Sequence, residues 1–145
     1  MELKGSEEET MSPVVPAIWL AGGIQLFIVA MNIPLPKILH YHVELSKLSP
    51  IVRQIFIVHS AYIVLVVIGF SVLCFCFATE LAGGSPLGTF LSGALAAFWG
   101  ARFIIQLGYY DADTRKRHSL GHVLFTFLIG LLSGIFIVAA LKIIP

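Results

Sequence analysis

What this sequence has least of is charge. Of its 145 residues, 12% are Asp, Glu, Lys or Arg and 58% are hydrophobic, about half the charged share of an ordinary soluble domain. A chain so composed cannot cover a water-facing surface, and its apolar area points to burial in something other than its own core. Cysteine is nearly as scarce. Cys74 and Cys76 stand two apart in an apolar run, on different faces of a helix, and match neither a disulfide framework nor a CxxC redox or zinc pattern. The sequence also lacks a phosphate-cradling glycine loop, a serine nucleophile elbow, paired catalytic carboxylates and an HExxH pair, which weighs against autonomous catalysis. At a net charge of +1, no nucleic-acid partner is indicated.

The first ten residues, "MELKGSEEET", hold four glutamates against one lysine and lack the basic start of a secretory signal. They read as an acidic, mobile tail over residues 1–12, ahead of a single membrane domain over 13–145.

What is present is four long apolar runs, at about 14–33, 55–79, 87–110 and 120–141. Each approaches or exceeds the roughly 20 residues that cross a hydrocarbon layer of about 30 Å. Backbone polar groups in lipid must be satisfied internally, and no alternating ten-residue strands are present, so these runs are read as helices. The expected fold is an all-α, four-helix transmembrane bundle in a lipid bilayer. Ser12-Pro13, Ser49-Pro50 and Ser85-Pro86 precede three of the spans, serine as a cap for free amides and proline as a first-turn residue. The fourth has Ser119, with Asp111 and Asp113 as competing caps.

With four spans, both termini share one side with the short "ELAGGSP" connection. The other side collects Lys37, Lys47, Arg53, Arg115, Lys116 and Arg117, against Lys4 and Lys142. The positive-inside rule therefore predicts a cytoplasmic first and third connection and both termini outside. No organellar address is visible, and a bacterial inner membrane is the expected location.

The first connection has its own period. Ile38, Tyr41, Leu45 and Leu48 recur at i, i+3, i+7 and i+10, with Lys37, His40, Glu44 and Lys47 one residue earlier. That pattern predicts an amphipathic interfacial helix over 36–49, with His40 beside Glu44 and His42 near the apolar stripe. Small residues at four-residue steps, Gly93, Ala97 and Ala101 in the third span and Gly130 and Gly134 in the fourth, predict close helix packing within the bundle, in a homo-oligomer or against other membrane subunits.

All five histidines fall on the predicted cytoplasmic side. Trp99, Arg102, Gln106 and Tyr109 form one stripe on the third span at i, i+3, i+7 and i+10. An arginine inside a span is costly and faces a cavity, a bundle interior or a partner by default.

Two uses follow. Arg102, Gln106 and Tyr109, with Glu44 folding over the bundle mouth, make a binding pocket for a lipid headgroup or small anion. Alternatively His59 and His122, joined by His42, ligate a haem or transition metal in a redox component. "HSLGH", residues 118–122, has the spacing of a histidine box without the companion boxes. The preferred reading is an accessory or ligand-binding membrane protein with a cytoplasmic-side pocket lined by His59, Arg102, Gln106 and His122.

Overall fold

A computed structural model describes residues 12–38, 40–108 and 119–142, and the described residues are helical with no strand. The acidic tail, Tyr109, Asp111, Asp113, the "RKR" run and His118 lie outside them. The elements are α1 (Val14–Asn32), α2 (Leu35–Ile38), α3 (Tyr41–Ser46), α4 (Pro50–Cys76), a π-turn (Glu80–Gly84), α5 (Pro86–Gly108) and α6 (Ser119–Leu141). Four of these helices are long and apolar enough to cross a membrane.

The serine-proline pairs work as helix starts, in different ways. The Ser85 hydroxyl accepts from the Gly88 amide at 3.0 Å, and Ser12 accepts from the Val14 amide at 3.4 Å. Ser49 makes no side-chain cap, and Pro50 alone fills the first turn. Because that turn begins at Pro50, α4 starts five residues ahead of its expected boundary, carrying Arg53 and Gln54 inside the helix.

α4 stops at Phe77, whose φ of −130° leaves the helical region. The chain then reverses through the π-turn, where Gly83 sits at φ 97°, a conformation glycine adopts without strain. Gly88 is required for a different reason: a Cβ there would strike the Glu80 backbone carbonyl. The Ser92 hydroxyl donates to the Leu81 carbonyl at 2.7 Å, so turn and helix are fastened together.

The expected continuous interfacial helix is two short ones. His40 adopts the left-handed conformation, φ 50° and ψ 42°, between them. Of the expected apolar stripe, Tyr41 and Leu45 on α3 are half-buried, while Ile38 and Leu48 to either side are exposed. α3 buries no residue and leans on the start of α4 through an edge-on contact of Tyr41 with Phe56, centroids 5.5 Å apart.

Packing divides the bundle into α1 with α4 and α5 with α6, joined by contacts of α1 with α6. Between α1 and α4 the fasteners are polar: the Ser71 hydroxyl donates to the Gly22 carbonyl at 2.8 Å. Gln25 Nε2 donates to the Ala21 carbonyl at 3.2 Å and to Cys74 Sγ at 3.4 Å. Between α5 and α6, Gly100 approaches Ser133 and Gly130 takes the Phe103 ring. The small residues expected at the seam are thus partly displaced: Ala97, Ala101 and Gly134 are exposed.

Candidate functional site

The end of the bundle that carries the first connection contains a cavity of about 230 Å³. All four long helices line it. α1 contributes Ile28, Val29 and Asn32, α4 contributes Ser60, Ile63, Val64 and Val67, α5 contributes Phe98, Trp99 and Arg102, and α6 contributes Phe125. The last turn of α1 and the middle of α4 diverge there, because residues 50–59 of α4 are all exposed and the helix meets the bundle only from Ser60 onward.

Arg102 is half-buried on the cavity wall, six residues from the end of α5, or about 9 Å along the axis. Its guanidinium carbon lies 5.6 Å from the centre of the Phe125 ring, within the range of cation–π attraction. The other polar groups on the wall are the Asn32 carboxamide, whose Nδ2 donates to the Ile28 carbonyl at 2.8 Å, the Ser60 hydroxyl and Trp99. Among the described residues that line the cavity, Arg102 carries a charge and none is a carboxylate.

The aromatic floor is rigid. Phe98 meets Phe70 and Trp99 edge-on, at 5.0 Å and 5.3 Å between centroids. Trp99 and Gln106, the neighbours of Arg102 on the same stripe, are buried, and Trp99 Nε1 and Gln106 Oε1 have no hydrogen-bond partner among the described residues. Buried polar atoms of this kind are usually paired.

The other expected site residues are placed elsewhere. Glu44 pairs with Lys47 at 2.8 Å, both side chains largely exposed, and stands on α3 beside the start of α4. His42 is exposed on the same short helix. His59 is exposed and lines a shallow groove with Gln54, Ile55, Val58 and Tyr62, all from its own helix. His122 is half-buried. The Thr126 hydroxyl donates to the His122 carbonyl at 2.7 Å and lies 3.1 Å from its Nδ1. Its one proton being used on that carbonyl, the hydroxyl is available to Nδ1 as an acceptor.

A haem or metal site needs several such nitrogens brought together. Among the described residues no group of three or more His, Cys, Asp or Glu stands close enough to hold a metal ion. Asn32, Ser60 and Phe125 are among the cavity residues that sequence reasoning missed. Only their shared depth near one end of the spans could have marked them.

No protein family, curated protein or solved structure matches the chain.

Proposed function

We propose that this chain is a multi-pass membrane protein that binds an anionic amphiphile, a lipid or a small carboxylate or phosphate, in the cavity beside Arg102, and acts as a ligand-binding or accessory subunit. In this reading the cavity opens toward the cytoplasmic leaflet of a bacterial inner membrane, with both termini outside, as the excess of cations at that end suggests.

The observation that carries the reading is Arg102 itself, half-buried on the wall of a cavity lined by all four spans. An arginine within the apolar length of a helix costs about 2.5–3.5 kcal/mol on insertion scales. Its attraction to the Phe125 ring offsets about 0.5–2 kcal/mol of that. An acidic headgroup suits a guanidinium on such a wall, because charge-assisted hydrogen bonds from it strengthen where water is excluded. The hydrocarbon walls then suit an acyl chain.

The test is the lipid and small-molecule content of the purified protein, measured by mass spectrometry for the native chain, Arg102→Lys and Arg102→Leu. The expected result is an acidic species retained by the native chain, diminished in Arg102→Lys and lost in Arg102→Leu. Retention on reconstitution in anionic vesicles alone assigns a lipid headgroup, and retention from buffer with zwitterionic vesicles assigns a free anion. Identical content in all three proteins would overturn the reading.

A further inference from the structure

We propose that two copies of this chain pair through the outer face of α4, about a two-fold axis along the helices. α4 has two seams. Ser60, Val64, Val67, Ser71 and Cys74, at alternating steps of four and three, are buried or half-buried and face the bundle, with Ile68, Phe70 and Leu73 half-buried beside them. Two residues back along a helix is about 200° around it, so a second seam lies opposite. Ile55, Val58, Tyr62, Leu65, Gly69 and Val72 follow the same alternation of three and four. Cys76 is the next step and is exposed.

None of this second seam is covered. Its large side chains are from 53% (Val72) to 64% (Tyr62) exposed, and a Cβ on Gly69 would meet nothing within 4 Å. Only 11% of the most apolar stretch of α4 is buried, against 44% for α1. Exposed aliphatic side chains need no explanation in lipid. The polar ones do.

Tyr62 is the twelfth residue past Pro50 in a helix of 27 residues, about 18 Å along an axis of about 40 Å. Membrane tyrosines belong at the headgroup level, and this one is near mid-span on a face turned away from its own bundle. Its hydroxyl in hydrocarbon lacks every hydrogen bond that water would supply. Gln54 and His59 share that outer surface, Gln54 about 6 Å and His59 about 14 Å along the same axis.

A second copy supplies partners for these groups. With Ile55, Tyr62 and Gly69 as the "a" positions of a parallel pair and Val58, Leu65 and Val72 as "d", Gln54 falls at "g" and His59 at "e". The "g" residue of one helix and the "e" residue of the next heptad face each other across such a pair. Gln54 of each copy therefore meets the other copy's His59, an amide donor against an imidazole acceptor. Helical side chains lean toward the N-terminus, so the Tyr62 hydroxyl reaches down to the same level. The contact is self-complementary and forms twice, as a two-fold interface requires. Gly69 lets the backbones close together one turn beyond Leu65. The opposite seam keeps the Arg102 cavity, and the pairing does not depend on what the cavity binds.

Cys76 provides the test in the full-length chain, because an "a" position faces its own copy across the axis at a separation that a disulfide can span. Mild oxidation in native membranes should give a covalent dimer that is lost in Cys76→Ser and kept in Cys74→Ser, since Cys74 is buried on the inner seam. Tyr62→Phe, which changes no packing volume, should lower the dimer fraction, with the association constant falling about three- to tenfold, and Gly69→Trp should abolish the crosslink. Absence of a Cys76 crosslink, a crosslinked product of any mass other than twice the chain, or a dimer indifferent to Tyr62→Phe would overturn the pairing.

Discussion

The guanidinium carbon of Arg102 stands 5.6 Å from the centre of the Phe125 ring, so α5 and α6 meet through a cation over an aromatic face inside the apolar length of both. That contact places the guanidinium against the Phe125 ring at the cavity wall. A residue kept for stability and one kept for binding respond differently to replacement here. Arg102→Leu replaces a charge within the apolar length of α5 by apolar surface. If Arg102 is kept for binding, the variant in detergent should therefore melt at the temperature of the ligand-free native chain or above it and should not retain the anion. A fall of several degrees in the thermal midpoint, with ligand content preserved, would mark Arg102 as a structural residue instead.

The α1–α4 seam is predicted to be sensitive to volume more than to hydrogen bonding. Ser71→Ala removes the bond to the Gly22 carbonyl, and interhelical bonds of this kind average about 0.6 kcal/mol. Gly22→Val is worse, because even the first added carbon lies 3.1 Å from Cys74 Cβ, which is fully buried, and from the Phe75 ring. Overpacking of that sort costs about 1–3 kcal/mol. Reversible unfolding in mixed micelles should rank the two in that order. Equal losses would show that the hydrogen bond, and not the close approach, sets the seam.

Gly88→Ala should be the most damaging single methyl in the chain. The added carbon collides with the Glu80 backbone carbonyl, and a backbone atom fixed within a turn cannot rotate aside as a side chain would. Both the π-turn and the start of α5 would have to shift, at a cost of about 3 kcal/mol or more. Gly121→Ala is the control, since a Cβ there meets nothing within 4 Å, and helix propensity favours alanine by about 0.5–1 kcal/mol. Parallel expression and unfolding of the two variants checks the contrast, and a stable Gly88→Ala protein would remove the close approach as a constraint.

How much of this was legible in the sequence depends on the coordinate considered. Position along each span was legible, because it follows from the apolar run, the serine-proline starts and the rise per residue. Arg102 was expected about one turn deeper than Gln106 on one stripe of α5, and both occur on that helix, buried or half-buried. Position around each helix was legible only where polar residues repeat. α5 has such a stripe, and α4 does not: it is apolar on every side, so hydropathy carries no sign of which face is inward. His59 shows the consequence. It precedes Ser60 by one residue, about 100° around the helix, and that single step takes it from the cavity wall to the outer surface. The first connection failed differently. Its periodicity runs through His40 in the sequence, but the left-handed backbone at that residue has no hydropathy signature. The link from Glu44 to Arg102 rested on a continuous helix, and Glu44 instead pairs with Lys47 on its own short helix.

The orientation is testable at residues the structure describes. Lys47 lies beside the start of α4 and is exposed, and Lys142 follows the end of α6 near Gly83. They mark opposite ends of the bundle. If the excess of Lys and Arg around the first and third connections fixes those connections in the cytoplasm, a cysteine at Lys47 in a background lacking Cys74 and Cys76 is shielded from a membrane-impermeant maleimide added to intact cells. A cysteine at Lys142 is labelled without permeabilisation. Reversal of the two patterns would turn the molecule over and open the Arg102 cavity toward the outer leaflet. The candidate ligands would then be those outside the cell, although the chemistry of the cavity wall would be unchanged.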